Sequence, residues 1–317
     1  MIDLNSKILI TWASWFVWSN LVHTLVELWA RNIHVILREF SDTWRLNSII
    51  DKLHISYVSL LDAESLGVYI NTITPDIIYH LAASWANIWR NKYSTKDIFD
   101  ANIIGTLNLI NSCKSVWFSY FINTWSSSEY WVKDSPMKES DLLQPNNEYW
   151  ISKASATMYA TFLGKKEQLP IYTFRLFSVY GYYEDKNRLM PTLILNYLHW
   201  ISPNLSSPNS VRDYIFIEDV ITCYLNIDSL RWDFWWIYNI WSGVQYKVSD
   251  IVWIIKNNIS SDVLPNYWIE HMKQIEPKTW VSDNSKMIFA FWSRLHNIDS
   301  WIIKTIHWFQ EYLHLYD

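Results

Sequence analysis

Residues 7–11, 33–37, 77–82, 120–124 and 171–176 are short runs rich in Ile, Leu, Val, Tyr and Phe, and helix-length stretches separate them. Polar and apolar positions hardly alternate within these runs, so each would bury both of its faces. That is the mark of a parallel sheet sandwiched between helices and joined by right-handed crossovers. The pattern predicts an α/β fold with a doubly wound parallel sheet over residues 1–175. Beyond residue 176, Pro191, Pro203, Pro208, Pro265 and Pro277 and polar loops such as 202–210 interrupt the rhythm. A smaller C-terminal domain, 176–317, is expected there, with a strand near 237–240 returning to the main sheet. Such folds hold ligands at the carboxyl ends of their strands. Here those ends carry residues 12–18, Arg38, Ala82 and Ala83, Ser126 to Ser128, and Ser178.

Half of the 317 residues are apolar and 18% are charged, with a net charge of −5 and a pI near 6.0. This is the composition of a soluble globular protein. It offers no basic stripe for nucleic acid. The nine histidines and two cysteines show no metal-ligand spacing, so no metal is expected. Cys113 and Cys223 lie in apolar, helix-like segments, where buried thiols are the ordinary outcome. With no charged leader before the first strand and no apolar span long enough for a bilayer, a cytoplasmic protein without a membrane partner is expected.

One count changes the picture: 22 tryptophans stand against 5 glycines. Together they make up about 8.5% of the chain, close to the roughly 7% that glycine alone usually takes. The tryptophans also occupy places that call for glycine. Examples are Thr11-Trp12-Ala13-Ser14-Trp15-Phe16-Val17-Trp18, between a strand run and a helix, and Asn239-Ile240-Trp241-Ser242-Gly243. A gene in which UGA encodes glycine, translated as though UGA encoded tryptophan, produces this substitution and spares glycines written with ordinary codons. The sequence therefore predicts native glycine at many of the printed tryptophans. Tryptophan cannot take the left-handed angles of a glycine turn without strain.

With glycine at 12, 15 and 18, this stretch reads G-x-x-G-x-x-G between strand and helix, a dinucleotide-binding turn. One glycine permits the tight turn, one lets the pyrophosphate approach the backbone, and one lets helix and strand pack closely. The helix N-terminus offers the phosphates unpaired N–H groups and a positive dipole. Trp12, Trp15, Phe16, Val17 and Trp18 are the candidate cofactor-binding stretch, and as printed the indoles would fill its space. Arg38 ends the second strand run, where an acid would grip the ribose hydroxyls of NAD. A guanidinium there suits the 2′-phosphate of NADP. An arginine solvated beside Glu39 is the competing reading, so NAD and NADP both stay open.

Tyr149 and Lys153 lie four apart at the start of a helix-like stretch, on one face. An ammonium beside a phenol favours phenolate, lowering the tyrosine pKa from about 10 so that it can exchange a proton with a hydroxyl. The serines at 126 to 128, at a strand end, supply a hydrogen-bond donor for the same reaction.

These pieces resemble the extended short-chain dehydrogenases/reductases, in the NAD-dependent epimerase/dehydratase family that acts on nucleotide sugars. The matching segments are TWASWFVWSNL, HLAAS, NIIGTLNLI, TWSSSEYW, YWISKA, RLFSVYG, RDYIFIEDV and YNIWSG. They cover nearly the whole chain in the family's order, and several are intact only with Trp read as Gly. The resemblance implies a Rossmann-type NAD(P)-binding domain and a smaller substrate-binding domain. It implies Tyr149 as catalytic base, Lys153 as its pKa-lowering and ribose-binding partner, and Ser126 as the donor to the reacting oxygen, with Ser127 as the rival. Ala82 and Ala83 resemble the small residues bordering the nicotinamide ribose. Arg212, in Arg212-Asp213-Tyr214, resembles the arginine that contacts the nucleotide phosphates. Ser178 stands where many relatives have an asparagine at the sugar diphosphate. Asn102 is read as an organiser of helix and loop.

The family's shared step passes hydride from sugar C4 to the nicotinamide while the tyrosinate takes the hydroxyl proton, leaving a 4-keto sugar. A 4,6-dehydratase also needs an acid and a base beside the Ser/Thr, where this chain has Ser127 and Ser128, with Glu129 displaced by one. The resemblance therefore implies a nucleotide-sugar epimerase, like UDP-glucose 4-epimerases, ahead of a 4-keto reductase and then a dehydratase. A non-catalytic dinucleotide-binding protein is the alternative of another class. The family's habit of pairing through helices implies a homodimer, with residues 98–113 and 150–163 as the candidate contact.

Overall fold

The computed structural model describes residues 1–82, 94–130, 133–230, 237–267, 278–291 and 297–316. In chain order the first elements are β1 (Ile8–Thr11), α1 (Phe16–Glu27), β2 (Ile33–Ile36), β3 (His54–Ser56), α2 (Ala63–Ile73) and β4 (Ile77–His80). Next come α3 (Thr95–Phe99), α4 (Gly105–Lys114), β5 (Tyr120–Ser126), α5 (Glu148–Glu167) and β6 (Ile171–Leu176). Then follow β7 (Ser178–Tyr180), α6 (Leu189–Leu198), β8 (Asn204–Leu205), β9 (Val211–Phe216), α7 (Ile217–Leu225) and β10 (Ile237–Ile240). The last are β11 (Gln245–Lys247), α8 (Val248–Ile259), β12 (Asn266–Tyr267), α9 (Ser285–Phe291) and α10 (Ile298–Glu311).

The chain divides into two compact units. The first comprises Met1–Trp131, Glu139–Leu176 and Cys223–Asn239. It is built on a seven-stranded sheet of order β10-β6-β5-β4-β1-β2-β3. The pairs from β3 across to β6 are parallel. This is the doubly wound, Rossmann-like α/β fold expected from the apolar runs. Every residue of β1, β4 and β6 is buried, which is why those runs lack a polar face. Leu9, Ile78 and Phe121 from the sheet pack with Leu66 and Ile70 of α2, Ile110 of α4 and Leu163 of α5. β3 escapes a reading of periodicity because it has three residues, none of them buried. The strand order reverses between β1 and β4, which opens a crevice at the carboxyl end of β1.

The second unit comprises Val132–Lys138, Phe177–Thr222 and Ile240–Asp317. It holds a three-stranded sheet, β11-β9-β7, and a two-stranded sheet, β12-β8. α6, α8 and α10 pack on one another within it. Asp213 of β9 is buried, and its carboxylate accepts the N–H groups of Ser242 and Gly243 (3.1 and 2.9 Å) and the Ser242 hydroxyl (2.6 Å). Gly243 has φ +79, and a Cβ there would lie 2.5 Å from Asn284. An encoded glycine thus sits where only glycine fits.

Several printed tryptophans sit in comparable places. Among the described residues seven non-glycine positions have positive φ, and Trp12, Trp29 and Trp200 are three of them. After α1, the Trp29 N–H donates to the Val26 carbonyl and the Ala30 N–H to the Leu25 carbonyl (both 3.0 Å). After α6, Trp200 donates to Tyr197 (3.2 Å) and Ile201 to Asn196 (2.8 Å). Both are Schellman endings, whose left-handed residue is most often glycine. Trp29 and Trp200 are 81% and 64% exposed, so their rings bury little that could offset the left-handed backbone. Within the second unit the Trp241 ring is stacked on Phe177. Among the described residues the buried indole N–H groups of Trp18, Trp125 and Trp241 have no hydrogen-bond acceptor, each a penalty of about 1–3 kcal/mol.

Replacing Trp29 or Trp200 by glycine in the chain as printed should raise stability by roughly 0.5–1 kcal/mol each, because relief of left-handed strain exceeds the added freedom of the unfolded chain. Urea unfolding midpoints test this, and a lower midpoint in both variants would contradict it.

Candidate active site

Thr11 ends β1, in register with Ile36 of β2 and His80 of β4. The chain then leaves the sheet through Trp12 at φ +58, and α1 begins at Phe16 with Trp15 as its N-cap. Trp15 offers no side-chain cap and the first turn has no acid, so among the described residues the leading N–H groups of α1 have no side-chain cap. This main chain fits a dinucleotide pyrophosphate. The side chains do not, because the Trp12 and Trp15 rings stack on each other at 6.0 Å over the turn. The Arg38 guanidinium lies 3.9 Å from the centre of the Trp12 ring. Trp18 is fully buried under α1, 4.9 Å from Tyr224 and 6.0 Å from Tyr79, centre to centre. Phe16 and Val17 form the first turn of α1 between these indoles. Beside the turn, Trp12, Leu37, Arg38, Val58, Leu60 and Ala82 line a cavity of about 410 Å³.

His80 organises the floor of this crevice, a role the sequence reading missed. Its ring bridges Thr11 Oγ1 (3.0 Å) and Thr106 Oγ1 (2.9 Å). Thr11 Oγ1 also accepts the N–H groups of Leu81 and Ala82 (3.2 and 3.1 Å), so its own proton goes to His80 Nδ1. Thr106 donates to the Asn102 carbonyl (2.7 Å), so it receives the Nε2 proton. Burial pushes the His80 pKa down to about 3, helped by the Lys153 charge, and the ring stays neutral. The network fixes the start of the loop that carries Ala82. Ala83 lies outside the described residues. Asn102 is buried in a π-helical turn (Asp100–Ile104), and its Nδ2 donates to Ser152 Oγ of α5 at 2.8 Å. The signal available was a histidine and a threonine closing otherwise apolar strands.

At the end of β5, Ser126 Oγ accepts the Ser128 N–H (3.2 Å) and donates to Ser128 Oγ (3.1 Å), capping a single 3₁₀ turn, Ser127–Glu129. Ser127 is buried and Ser126 half-buried. α5 packs on β5 and on this turn. Asn147 caps α5 by accepting the Trp150 N–H (2.9 Å), which sets Tyr149 in its first turn and Lys153 one turn later. Lys153 Nζ lies 5.5 Å from the centre of the Tyr149 ring and 3.5 Å from that of Trp125. Burial holds the Lys153 ammonium well below its usual pKa, against the opposing charge of Glu129. Burial, then the Glu129 charge, pushes the Tyr149 phenol up. In the chain as printed the Lys153 ammonium lies nearer the Trp125 indole than the Tyr149 phenol.

Glu129 is buried and committed elsewhere. Arg175 Nη2 and Nε approach its Oε2 at 3.1 and 3.2 Å, and Thr157 donates to its Oε1 at 3.4 Å. Arg175 also donates to the Tyr130 hydroxyl (2.5 Å), which donates to Asn239 Oδ1 (2.8 Å).

Ser178 and Arg212 belong to the second unit. Ser178 opens β7, opposite Tyr214 of β9. Arg212 is half-buried, 5.5 Å from the Trp280 ring centre, with Nη1 donating to the Val211 carbonyl (2.6 Å). Its neighbour Asp213 faces the opposite side of β9, as alternation along a strand requires, and burial raises its pKa to about 7. Among the described residues no group of His, Cys, Asp and Glu could hold a metal ion. No helix there is long and apolar enough to cross a membrane.

Residues 8–228 match the model of the NAD dependent epimerase/dehydratase family. The chain is 22% identical to CDP-abequose synthase of Salmonella muenchen, over 96% of its own length and 99% of that protein's. It is 24% identical to a trifunctional UDP-glucose 4,6-dehydratase/UDP-4-keto-6-deoxy-D-glucose 3,5-epimerase/UDP-4-keto-L-rhamnose-reductase of Arabidopsis thaliana, over 96% of its length. It spans 47% of that plant protein. Among solved structures, UDP-glucose 4-epimerase from Thermotoga maritima, with UDP-glucose, superposes with a TM-score of 0.85 at 22% identity, covering 96% and 99% of the two chains. UDP-glucuronic acid 4-epimerase from Bacillus cereus, in complex with UDP-glucuronic acid and NAD, gives 0.82 at 22% identity with the same coverage.

A depressed histidine pKa makes folding favour the neutral ring. That stability is complete above the unfolded pKa of 6.5 and is lost as pH falls towards 3. Between pH 6.5 and 5 the loss should be about 2 kcal/mol, at 1.36 kcal/mol per pH unit. Denaturant titrations at the two pH values should show this slope reduced in His80→Gln; equal slopes would remove His80 as its source.

Proposed function

The chain belongs to the NAD dependent epimerase/dehydratase family, and we propose that it is a nucleotide-sugar 4-epimerase whose working polypeptide carries glycine at 12, 15 and 18. Glycine there leaves the main chain of the β1–α1 turn as it is and frees the volume taken by the stacked Trp12 and Trp15 rings. NAD or NADP, when bound, supplies the hydride acceptor and donor. The protein's part is proton transfer and orientation. Tyr149 takes the proton from the sugar C4 hydroxyl, Ser126, with Ser127 as its rival, hydrogen-bonds the same oxygen, and Lys153 favours the phenolate and meets the ribose. Glycine at 125 would release Lys153 from the indole on which it rests. In the second unit, Arg212 suits the diphosphate, and the short side chain of Ser178 suits the sugar side of it.

The observation that carries this reading is the fate of Glu129. A 4,6-dehydratase must remove one proton and deliver another beside the Ser/Thr. Here the next two residues are serines, and the carboxylate after them is buried in its pair with Arg175. Turning a 4-keto sugar over and reducing it again needs neither group. A second reading, net reduction of a 4-keto sugar, uses the same Ser126, Tyr149 and Lys153, and Arg38 at the NADP-discriminating position favours it.

Ile151, Met158 and Phe162 are exposed along one stripe of α5, and Ile104 is exposed before α4. This apolar face suits a second copy of the chain in a homodimer. Light scattering should give a dimer mass, and Met158→Glu with Phe162→Glu a monomer; an unchanged mass would place the contact elsewhere.

Peptide mass spectra of the protein from its own host, over residues 7–31, should read glycine at 12, 15 and 18. Protein made with UGA read as glycine should convert one of a panel of UDP-, dTDP-, GDP- and CDP-sugars to its C4 epimer by NMR, and the tryptophan form should not. Tyr149→Phe should lower turnover by about two to four orders of magnitude and keep coenzyme binding. Undiminished turnover would remove Tyr149 as the base.

A further inference from the structure

We propose that Glu129 is a positioning residue for the Tyr149/Lys153 pair: its buried carboxylate, shared between Arg175 and Lys153, keeps Lys153 in the ammonium form that favours the phenolate. This rests on the reading of Tyr149 and Lys153 as the proton-transfer pair.

α5 carries Tyr149, Lys153 and Thr157 four residues apart, so the three side chains form one stripe along the helix. The far end of that stripe meets Glu129, where the Thr157 hydroxyl donates to Oε1 at 3.4 Å. Glu129 comes from the single turn Ser127–Glu129, on which α5 packs. Its other oxygen, Oε2, is held by Arg175 of β6 through Nη2 and Nε. None of these contacts involves a printed tryptophan, so glycine at 125 leaves them as they are.

Glu129, Lys153 and Arg175 are 0%, 2% and 1% exposed. Two cations thus share one carboxylate away from water. An unbalanced buried charge is costly, and a lysine answers by releasing its proton. Arg175 has no such escape, because a guanidinium stays charged in proteins. The charge open to loss is therefore that of Lys153, and Glu129 opposes the loss. Burial holds Lys153 well below its usual pKa, with the Glu129 charge acting against it. Burial pushes the Glu129 carboxyl up, opposed by Arg175 and then by Lys153.

The groups on neighbouring elements supply no second buried anion. The His80 ring of β4 is neutral between two threonine hydroxyls, and the Tyr130 hydroxyl is bonded to Arg175 and Asn239. Asp97 of α3 closes a capping box with Ser94, Asp100 pairs with Lys96, and Lys114 of α4 pairs with Glu167.

The test is competitive labelling with trace acetic anhydride over a pH series, on the full chain carrying glycine at its UGA-encoded positions, read by mass spectrometry of the peptide that holds Lys153. The pH at which Lys153 becomes reactive should fall by about one unit or more in Glu129→Gln. Glu129→Asp keeps the charge and should recover most of that shift. A merely structural role would lower the unfolding midpoint in both variants and leave the Lys153 proton in place. Glu129→Gln combined with Arg175→Met removes both charges of the ion pair and leaves neither partner unpaired. It should shift Lys153 in the same direction, because burial then acts unopposed. No shift in Glu129→Gln, or in the double variant where the single one does not fold, overturns the proposal. The labelling needs no substrate, so a chain that converts none of the sugar nucleotides would overturn the epimerase reading and leave this result standing.

Discussion

The sheet ends β1 at Thr11 by pairing it on both sides, and the next residue must turn out of the sheet with a positive φ. Everything at the site depends on what occupies that corner. The same few ångströms must hold either the side chains of residues 12 and 15 or a pyrophosphate against the first N–H groups of α1. Two stacked indoles and a dinucleotide exclude each other by volume, whatever their chemistry. The Trp12 and Trp15 rings stack over the turn, so the side chains at these two positions set how much of the crevice is open.

The left-handed angle at Trp12 is not an isolated oddity. Trp29 and Trp200 take the same angle at the ends of two helices, each with both Schellman hydrogen bonds formed. Trp241 stacks on Phe177, two residues before a glycine whose Cβ would strike Asn284. These positions share nothing in sequence neighbourhood. Trp12, Trp29 and Trp200 share a left-handed backbone angle, one that glycine takes without strain.

Beneath the crevice two buried polar networks divide the labour. The Thr11–His80–Thr106 chain is neutral, and every donor in it has an acceptor, so it stiffens the loop after β4 without burying a charge. The Glu129–Arg175 network buries two charges, and its pairing leaves neither partner exposed. That arrangement holds Glu129, the carboxylate after the serine turn, against Arg175 and Thr157.

The doubly wound sheet was legible because strands covered on both faces are apolar on both faces, and residues 8–11, 77–80 and 171–176 read that way without help. The serines at 126 to 128, the Tyr149/Lys153 spacing and the surplus of tryptophan were legible too, since each is local in sequence. β3 was not, because a three-residue edge strand carries no periodic signal. Nor was the tie between Thr11 and His80, 69 residues apart, or the pairing that takes Glu129 out of reach. Nor could spacing reveal that Lys153 lies on Trp125 and that burial raises the Tyr149 phenol. Sequence by itself determined the buried strands of the main sheet and which side chains carry titratable groups, because backbone preference and functional groups belong to single residues. Tertiary structure alone decided which of those groups are buried, paired or blocked, because desolvation and excluded volume arise only between segments that folding brings together.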